Sequence, residues 1–154
     1  MSWRIIAVGK IKEKYLQDGI DEYNKRVSGW MKVEVKELKT SSSNRSREEA
    51  LQEEGSRILK SVRPGSYVVV LTAEGEQFSS PALAQKIDDL LSRGIGRFDI
   101  IIGSYQGLAP EVKRRADLLL SLSTFTFSSQ LSRLILMEQL FRIMKIIKNE
   151  PYHR

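Results

Sequence analysis

The sequence predicts an α/β protein, a mostly parallel sheet with helices on both faces. Three observations predict it. Short apolar runs of strand length alternate throughout with segments whose apolar residues recur every three or four positions. Two of the runs, SYVVVLT (66–72) and FDIIIG (98–103), carry consecutive rather than alternating apolar residues, as strands covered on both faces do. No internal repeat breaks the alternation, so the helices serve as crossovers between parallel strands.

The elements follow in order. WRIIAV (3–8) is a short apolar run and reads as a strand. From about Lys12 to Ser28, Leu16, Ile20, Tyr23 and Val27 recur at helical spacing and give one apolar face. Met31, Val33 and Val35 alternate with Lys32, Glu34 and Lys36, the pattern of a half-buried strand. TSSSNRS (40–46) is a loop. Ser46 and Glu49 then form a Ser-x-x-Glu capping box that opens a second helix, with Leu51, Ile58, Leu59 and Val62 on its face.

SYVVVLT is the next strand and AEGEQFSS (73–80) the loop after it. Ser80 is placed to cap a third helix with Pro81 at its first position. Leu83, Ile87, Leu90 and Leu91 form its face, and Gly94 ends it. FDIIIG is a strand, SYQGLAP a loop, and Pro110 opens a short basic helix, PEVKRRA. DLLLSLS (117–123) is the last strand, and TFTFSS leads into a long helix from about Ser129 to Lys148. Apolar residues wrap most of that helix, leaving Glu138, Arg142, Lys145 and Asn149 as one polar stripe. This is more apolar surface than a sheet alone covers, and the expected second contact is the same helix in a twofold dimer.

Composition narrows the function. The 154 residues match one ordinary domain, residues 1–154. The chain has no cysteine and one histidine, His153, which excludes disulfides, thiolate metal sites and a cysteine nucleophile. No carboxylate cluster suggests a metal. No apolar run approaches bilayer length and the N-terminus lacks a signal-peptide core, so the expected location is cytoplasmic. The net charge of +6 is concentrated at the ends: residues 1–39 hold nine Lys/Arg against six Asp/Glu, and residues 101–154 hold eight against four. Such a distribution suits a polyanion such as nucleic acid.

The common phosphate signatures are absent. The first strand runs into VGKIKEK, neither a G-x-x-x-x-G-K-[ST] loop nor a G-x-G-x-x-G turn. No G-x-S-x-G elbow occurs either. Three loops at strand ends remain: LTAEGE (71–76), IIGSYQGL (101–108) and LSLSTFTF (120–127). In a parallel sheet all three lie at the carboxyl edge, where ligands bind. Gly103 and Gly107 allow close backbone approach, and Phe125 and Phe127 offer faces to a nucleobase.

Together VGKIKEKYLQDGIDEYNKRV, LTAEGEQFSSPALA, IIGSYQGL, LSLSTFTF and MEQLFRIMKIIKNEPYHR resemble the ribosomal RNA large subunit methyltransferase H family of the SPOUT superfamily. The resemblance runs the length of the chain. It implies a SPOUT-type trefoil-knotted fold, an obligate homodimer and S-adenosylmethionine as methyl donor. The implied substrate is N3 of a pseudouridine in large-subunit 23S rRNA of the assembled ribosome. The implied cofactor site is Leu71, Gly103, Gly107 and the segment Leu122, Ser123, Thr124, Phe125, Thr126 and Phe127. The implied catalytic groups are Glu138, Arg142, Tyr152 and His153, with Arg142 and Arg154 meeting RNA. Two roles are open to His153, accepting the N3 proton or binding the base.

Two positions depart from the family pattern. Ser104 stands where a second glycine is usual, and Ser129 where a histidine is usual. They motivate the alternative reading of a non-catalytic ribosome-binding factor that retains the cofactor-binding knot.

Overall fold

The computed structural model describes residues 1–42 and 44–153. The expected loop position Ser43 and the expected RNA contact Arg154 lie outside the described residues. Five strands form one sheet: β1 (Ser2–Val8), β2 (Lys32–Leu38), β3 (Tyr67–Gln77), β4 (Arg97–Ile102) and β5 (Leu118–Ser121). Their order is β2-β1-β4-β3-β5, and every pairing is parallel. The expectation of a mostly parallel sheet is met in full.

Strand periodicity divides the core in two. Ile5, Ala7, Val69, Ile100 and Ile102 face one way, into a cluster with α1 (Lys14–Val27), α3 (Ser80–Ser92) and α5 (Ser129–Ile147). Ile6, Val8, Val68, Val70 and Ile101 face the other, toward α2 (Arg47–Ser61) and α4 (Pro110–Arg115). Successive strand residues alternate between layers because successive Cβ atoms point to opposite faces. Among the described residues no helix is long and apolar enough to cross a membrane.

Caps follow the local chemistry. The Ser46 hydroxyl accepts from the Glu49 amide at 3.2 Å and opens α2. For α3 the cap is Ser79, not Ser80: its hydroxyl accepts from the Ala82 amide at 3.2 Å, which leaves Pro81 one position later than expected. Both serines suit a cap, and the hydroxyl three residues before a free amide takes the place.

The segment 73–77, expected to be loop, returns to the sheet. β3 pairs Leu71 with Leu120, leaves the ladder, and rejoins it with Glu76 opposite the same Leu120 and Gln77 opposite Ser121. The backbone of this bulge runs hard against β5. A Cβ on Gly75 would stand 2.5 Å from the Leu120 carbonyl carbon and 2.7 Å from the amide nitrogens of Leu120 and Ser121. All three contacts are backbone, so neither strand can yield alone. Gly75→Val is expected to cost about 3 kcal/mol or more of stability, read by chemical denaturation; a wild-type midpoint would show that the two strands can part here.

α5 lies between α1 and α3 on the sheet, which accounts for most of its apolar girth within one chain. α1 and α3 thus give this helix a second contact within the chain, beside the expected one with the same helix in a dimer. Leu131, 36% exposed, lies outside this core.

Candidate active site

The three loops expected at the carboxyl edge do meet. Leu71, Gly103, Gly107 and all of Leu122 to Phe127 line one open cleft of about 1950 Å³. The arms of the cleft come from the β1–α1 loop (Gly9, Lys10, Lys12), the β2–α2 loop and the start of α5 (Ser129, Gln130, Ser132).

The glycines have distinct tasks. Gly107 has φ +97°, a conformation that L side chains rarely adopt. Its amide donates to the Ser104 carbonyl at 3.0 Å and closes a tight turn. Gly103 is needed for space: a Cβ there would meet the Gly107 carbonyl oxygen at 2.6 Å and the Leu108 side chain at 2.8 Å.

On the far wall, the Ser123 hydroxyl accepts from the Phe125 amide at 2.9 Å. The amides of Thr124, Thr126 and Phe127 have no hydrogen-bond partner among the described residues. Phe125 is 79% exposed. A row of free amides beside an exposed aromatic ring can bind a nucleoside by its polar edge and its face.

The rim is basic. Lys10, Lys12 and Lys39 line the mouth and make no ion pair among the described residues. Lys113 is neutralised by Glu74 at 2.9 Å. Bonds from Thr72 and then Lys113 hold the Glu74 carboxyl down to about 2. Arg133, buried on α5, donates to Glu37 at 2.5 Å and to the Gly9 carbonyl, and so anchors the lysine-bearing loop.

The four expected catalytic groups also meet, but elsewhere. Arg142 donates to Glu138 through Nη2 at 2.5 Å and Nε at 3.1 Å. Its Nη1 lies 3.2 Å from His153 Nδ1. The Tyr152 hydroxyl donates to Glu138 at 3.2 Å, and the Arg142 guanidinium sits 4.7 Å from the Tyr152 ring centroid.

The tail reaches this place because α5 stops sharply. Asn149 takes φ 55°, which asparagine tolerates, and the Glu150 amide donates to the Lys145 carbonyl at 2.8 Å. Pro151 follows and the chain turns back, setting Tyr152 edge-on to Phe141 with centroids 4.7 Å apart.

Charge follows from these contacts. The Glu138 hydrogen bond is the main cause that raises Arg142 above its ordinary value, so it stays a cation. Burial, with Tyr23 and Glu138 adding to it, pushes the Tyr152 phenol up to about 12. Tyr152 is therefore a donor at neutral pH, not a base. A raised phenol stabilises the docked tail fully below pH 10 and loses this as pH rises through about 12. In an ultraviolet titration, Tyr152→Phe is expected to remove a step near pH 12; an unchanged curve would show that the phenol is not held there.

Because Arg142 only donates, His153 Nδ1 must accept, which puts the proton of a neutral ring on Nε2. In this arrangement the imidazole presents a donor outward.

None of the four groups lines the cleft. Ser132 does, and Glu138 and Arg142 lie six and ten residues farther along α5, about 9 and 15 Å by helical rise.

The chain matches the family model described as "Predicted SPOUT methyltransferase" over residues 1–153. It belongs to the SPOUT methyltransferases. Relatives of this SPOUT methyltransferase include proteins named Ribosomal RNA large subunit methyltransferase H. The one from Natranaerobius thermophilus is 47% identical, covering 99% of each chain. That from Desulforamulus reducens is 45% identical over 97% of each, and that from Streptococcus gordonii 43% over the full length of both. A solved structure, a "probable methylase family protein" from Haemophilus influenzae Rd KW20, is 13% identical. It aligns with a TM-score of 0.56 over 99% of this chain and 70% of its own, and shares the fold.

The family's methyl donor is S-adenosylmethionine. The cleft suits it: Gly103 leaves the backbone bare, free amides line the opposite wall, and an exposed ring flanks them. Sequence reasoning missed Glu54 and Arg47, which line the cleft, and Arg133, which braces its lysine-bearing loop. The signal for two of them was present. Glu54 falls between Ala50 and Ile58 at spacings of four, and Arg133 precedes Leu136, Met137 and Leu140, so each is a charged residue on an apolar face.

Proposed function

We propose that this methyltransferase modifies N3 of a pseudouridine in large-subunit 23S rRNA of the assembled ribosome. It acts in the cytoplasm as one domain and as a homodimer, each cleft completed by the tail of the other copy. The observation that carries this reading is the separation along α5 of a cofactor-shaped cleft from a preassembled Glu138–Arg142–Tyr152–His153 cluster. A twofold pairing near the start of α5 can bring one to the other. Exposed apolar groups support such a pairing: Leu131 lies there, and Tyr15 and Phe125 flank the cleft. The trefoil knot belongs to the same reading, and the tight passage of Gly75 against Leu120 is in keeping with it.

The naming of the relatives supports ribosomal RNA as substrate. So does the rim, where Lys10, Lys12 and Lys39 have charge to spare for phosphate. Bound in the cleft, S-adenosylmethionine supplies an electrophilic sulfonium methyl. The chain's own residues supply the rest. Gly103 and the free amides of the Leu122–Phe127 segment orient the donor. Arg142 faces the charge that develops on the base as the N3 proton leaves to water. His153 donates from Nε2 to a carbonyl of the base, with Arg142 fixing its orientation. Glu138 and Tyr152 hold Arg142 in place, and Arg154 meets phosphate.

The test is methyl transfer from labelled S-adenosylmethionine to ribosomes with and without their pseudouridines. Label in large-subunit rRNA only when pseudouridine is present is the expected result. Cofactor binding with no label would instead favour the non-catalytic factor. The dimer has its own test. Chains carrying Arg142→Ala and chains carrying Gly103→Val, each inactive alone, are expected to regain part of the activity when mixed and refolded. No recovery, with a monomer in sedimentation, would remove the shared site.

A further inference from the structure

We propose that Glu54 and Arg47, on one face of α2, are positioning residues that hold the Gly103–Gly107 loop in the shape that receives the cofactor, with Ser104 as the hydroxyl matched to Glu54. The inference rests on reading the cleft as the S-adenosylmethionine site.

Residues 47 and 54 are two helical turns apart, so their side chains share a face. Arg47 donates to the Gln106 carbonyl through Nε at 3.3 Å and Nη2 at 3.2 Å. Ser104 Oγ donates to Glu54 Oε1 at 2.7 Å. The Ser41 amide donates to Glu54 Oε2 at 3.0 Å. One carboxyl thus ties the glycine loop to the β2–α2 loop across the cleft wall.

The burial of Glu54 needs a reason. It is 3% exposed, and glutamate is rarely buried without a partner. No cation pairs with it among the described residues; both oxygens accept from loop groups instead. A carboxylate between Ala50 and Ile58 adds nothing to the packing of α2 itself. Its bonds do fix the loop. Gly55, the next residue, brings α2 against the far end of the same loop, where a Cβ would stand 3.0 Å from the Ala109 Cβ. α2 therefore meets the loop at Ser104, Gln106 and Ala109.

The internal bonds of the loop set only its own turn. The Gly107 amide donates to the Ser104 carbonyl at 3.0 Å, and the Gln106 amide to Ser104 Oγ at 3.2 Å. The turn by itself does not set its angle to the sheet: Leu108 seats one end on the core, and α2 holds the rest. Glutamine at 54 can preserve the arrangement, since its oxygen accepts from Ser41 and its amide donates to Ser104 Oγ.

The test uses Glu54→Ala, Glu54→Gln, Ser104→Ala, Arg47→Ala and the Glu54→Ala/Ser104→Ala double variant, all in the full chain. Hydrogen exchange reads the amides of residues 104–107, and calorimetry reads S-adenosylmethionine affinity. Glu54→Ala and Arg47→Ala are expected to speed exchange in the loop at least tenfold and to raise the cofactor Kd about tenfold. The kcat at saturating cofactor should stay within threefold. Glu54→Gln should restore both, and the double variant should bind no more weakly than Glu54→Ala. Wild-type exchange in Ser104→Ala and Glu54→Ala overturns the proposal. So does accelerated exchange with unchanged Kd, or additive losses in the double variant. A wild-type chain that does not bind S-adenosylmethionine overturns the reading of the cleft, and the exchange data still decide whether α2 holds the loop.

Discussion

Arg142→Ala is expected to lower turnover about 10²–10³-fold while leaving the affinity for S-adenosylmethionine within a factor of three. The size follows from losing a preorganised donor aimed at the charge that develops on the base. Arg142 suits that role because its free choices are already removed. Nε and Nη2 are taken by Glu138, Nη1 meets His153, and the Tyr152 ring lies against its plane. Little reorganisation is left for the moment of reaction. Cofactor affinity should hold because Arg142 does not line the cleft. Lysine cannot reproduce the forked contact, so Arg142→Lys should recover only part of the rate. Single-turnover methylation of ribosomes beside calorimetry separates the two effects. A variant that binds cofactor weakly but turns over normally when saturated would place Arg142 in cofactor binding instead.

Deleting Tyr152 to Arg154 is expected to abolish methylation, a loss of at least about 10³-fold when several groups of one cluster go together. The chain should remain folded. What the deletion removes from the described core is the Tyr152 edge contact with Phe141, its bond to Glu138 and its cation–π contact with Arg142. These are worth about 1–2 kcal/mol. Denaturant titration should show that modest loss. Tyr152→Phe keeps the ring and drops only the hydroxyl donor, so it should retain more activity than the truncation. Normal methylation by the truncated chain would reduce the tail to packing.

The fold was legible because its signals are local and repeated. Val68 to Val70 and Ile100 to Ile102 are too apolar for a one-sided sheet, and α1 shows its face at Leu16, Ile20 and Val27. The caps were nearly legible: Ser79 and Ser80 offer the same chemistry, and only the free amide of Ala82 selects between them. The return of residues 76 and 77 to the sheet was not legible. Ala73 to Gln77 has the composition of a loop, and its pairing depends on a close pass beside Leu120 that a glycine permits but does not announce.

The site divides in the same way. A strand-end glycine pair, a segment of small hydroxyls and a helix with Glu138 and Arg142 four apart can be read along the chain, since each is set by residues near one another. Spacing shows that Glu138 and Arg142 pair. It does not show that the pair stands about 9–15 Å of helix away from the cleft, nor that α1 and α3 absorb most of the apolar surface of α5. Contacts between residues far apart in sequence, such as Ser104 with Glu54 and Arg133 with Glu37, arise only when the parallel crossovers stack their loops at one edge. Periodicity assigns a residue to a face, and folding assigns that face its neighbours. The buried charges on apolar faces mark where the two descriptions part.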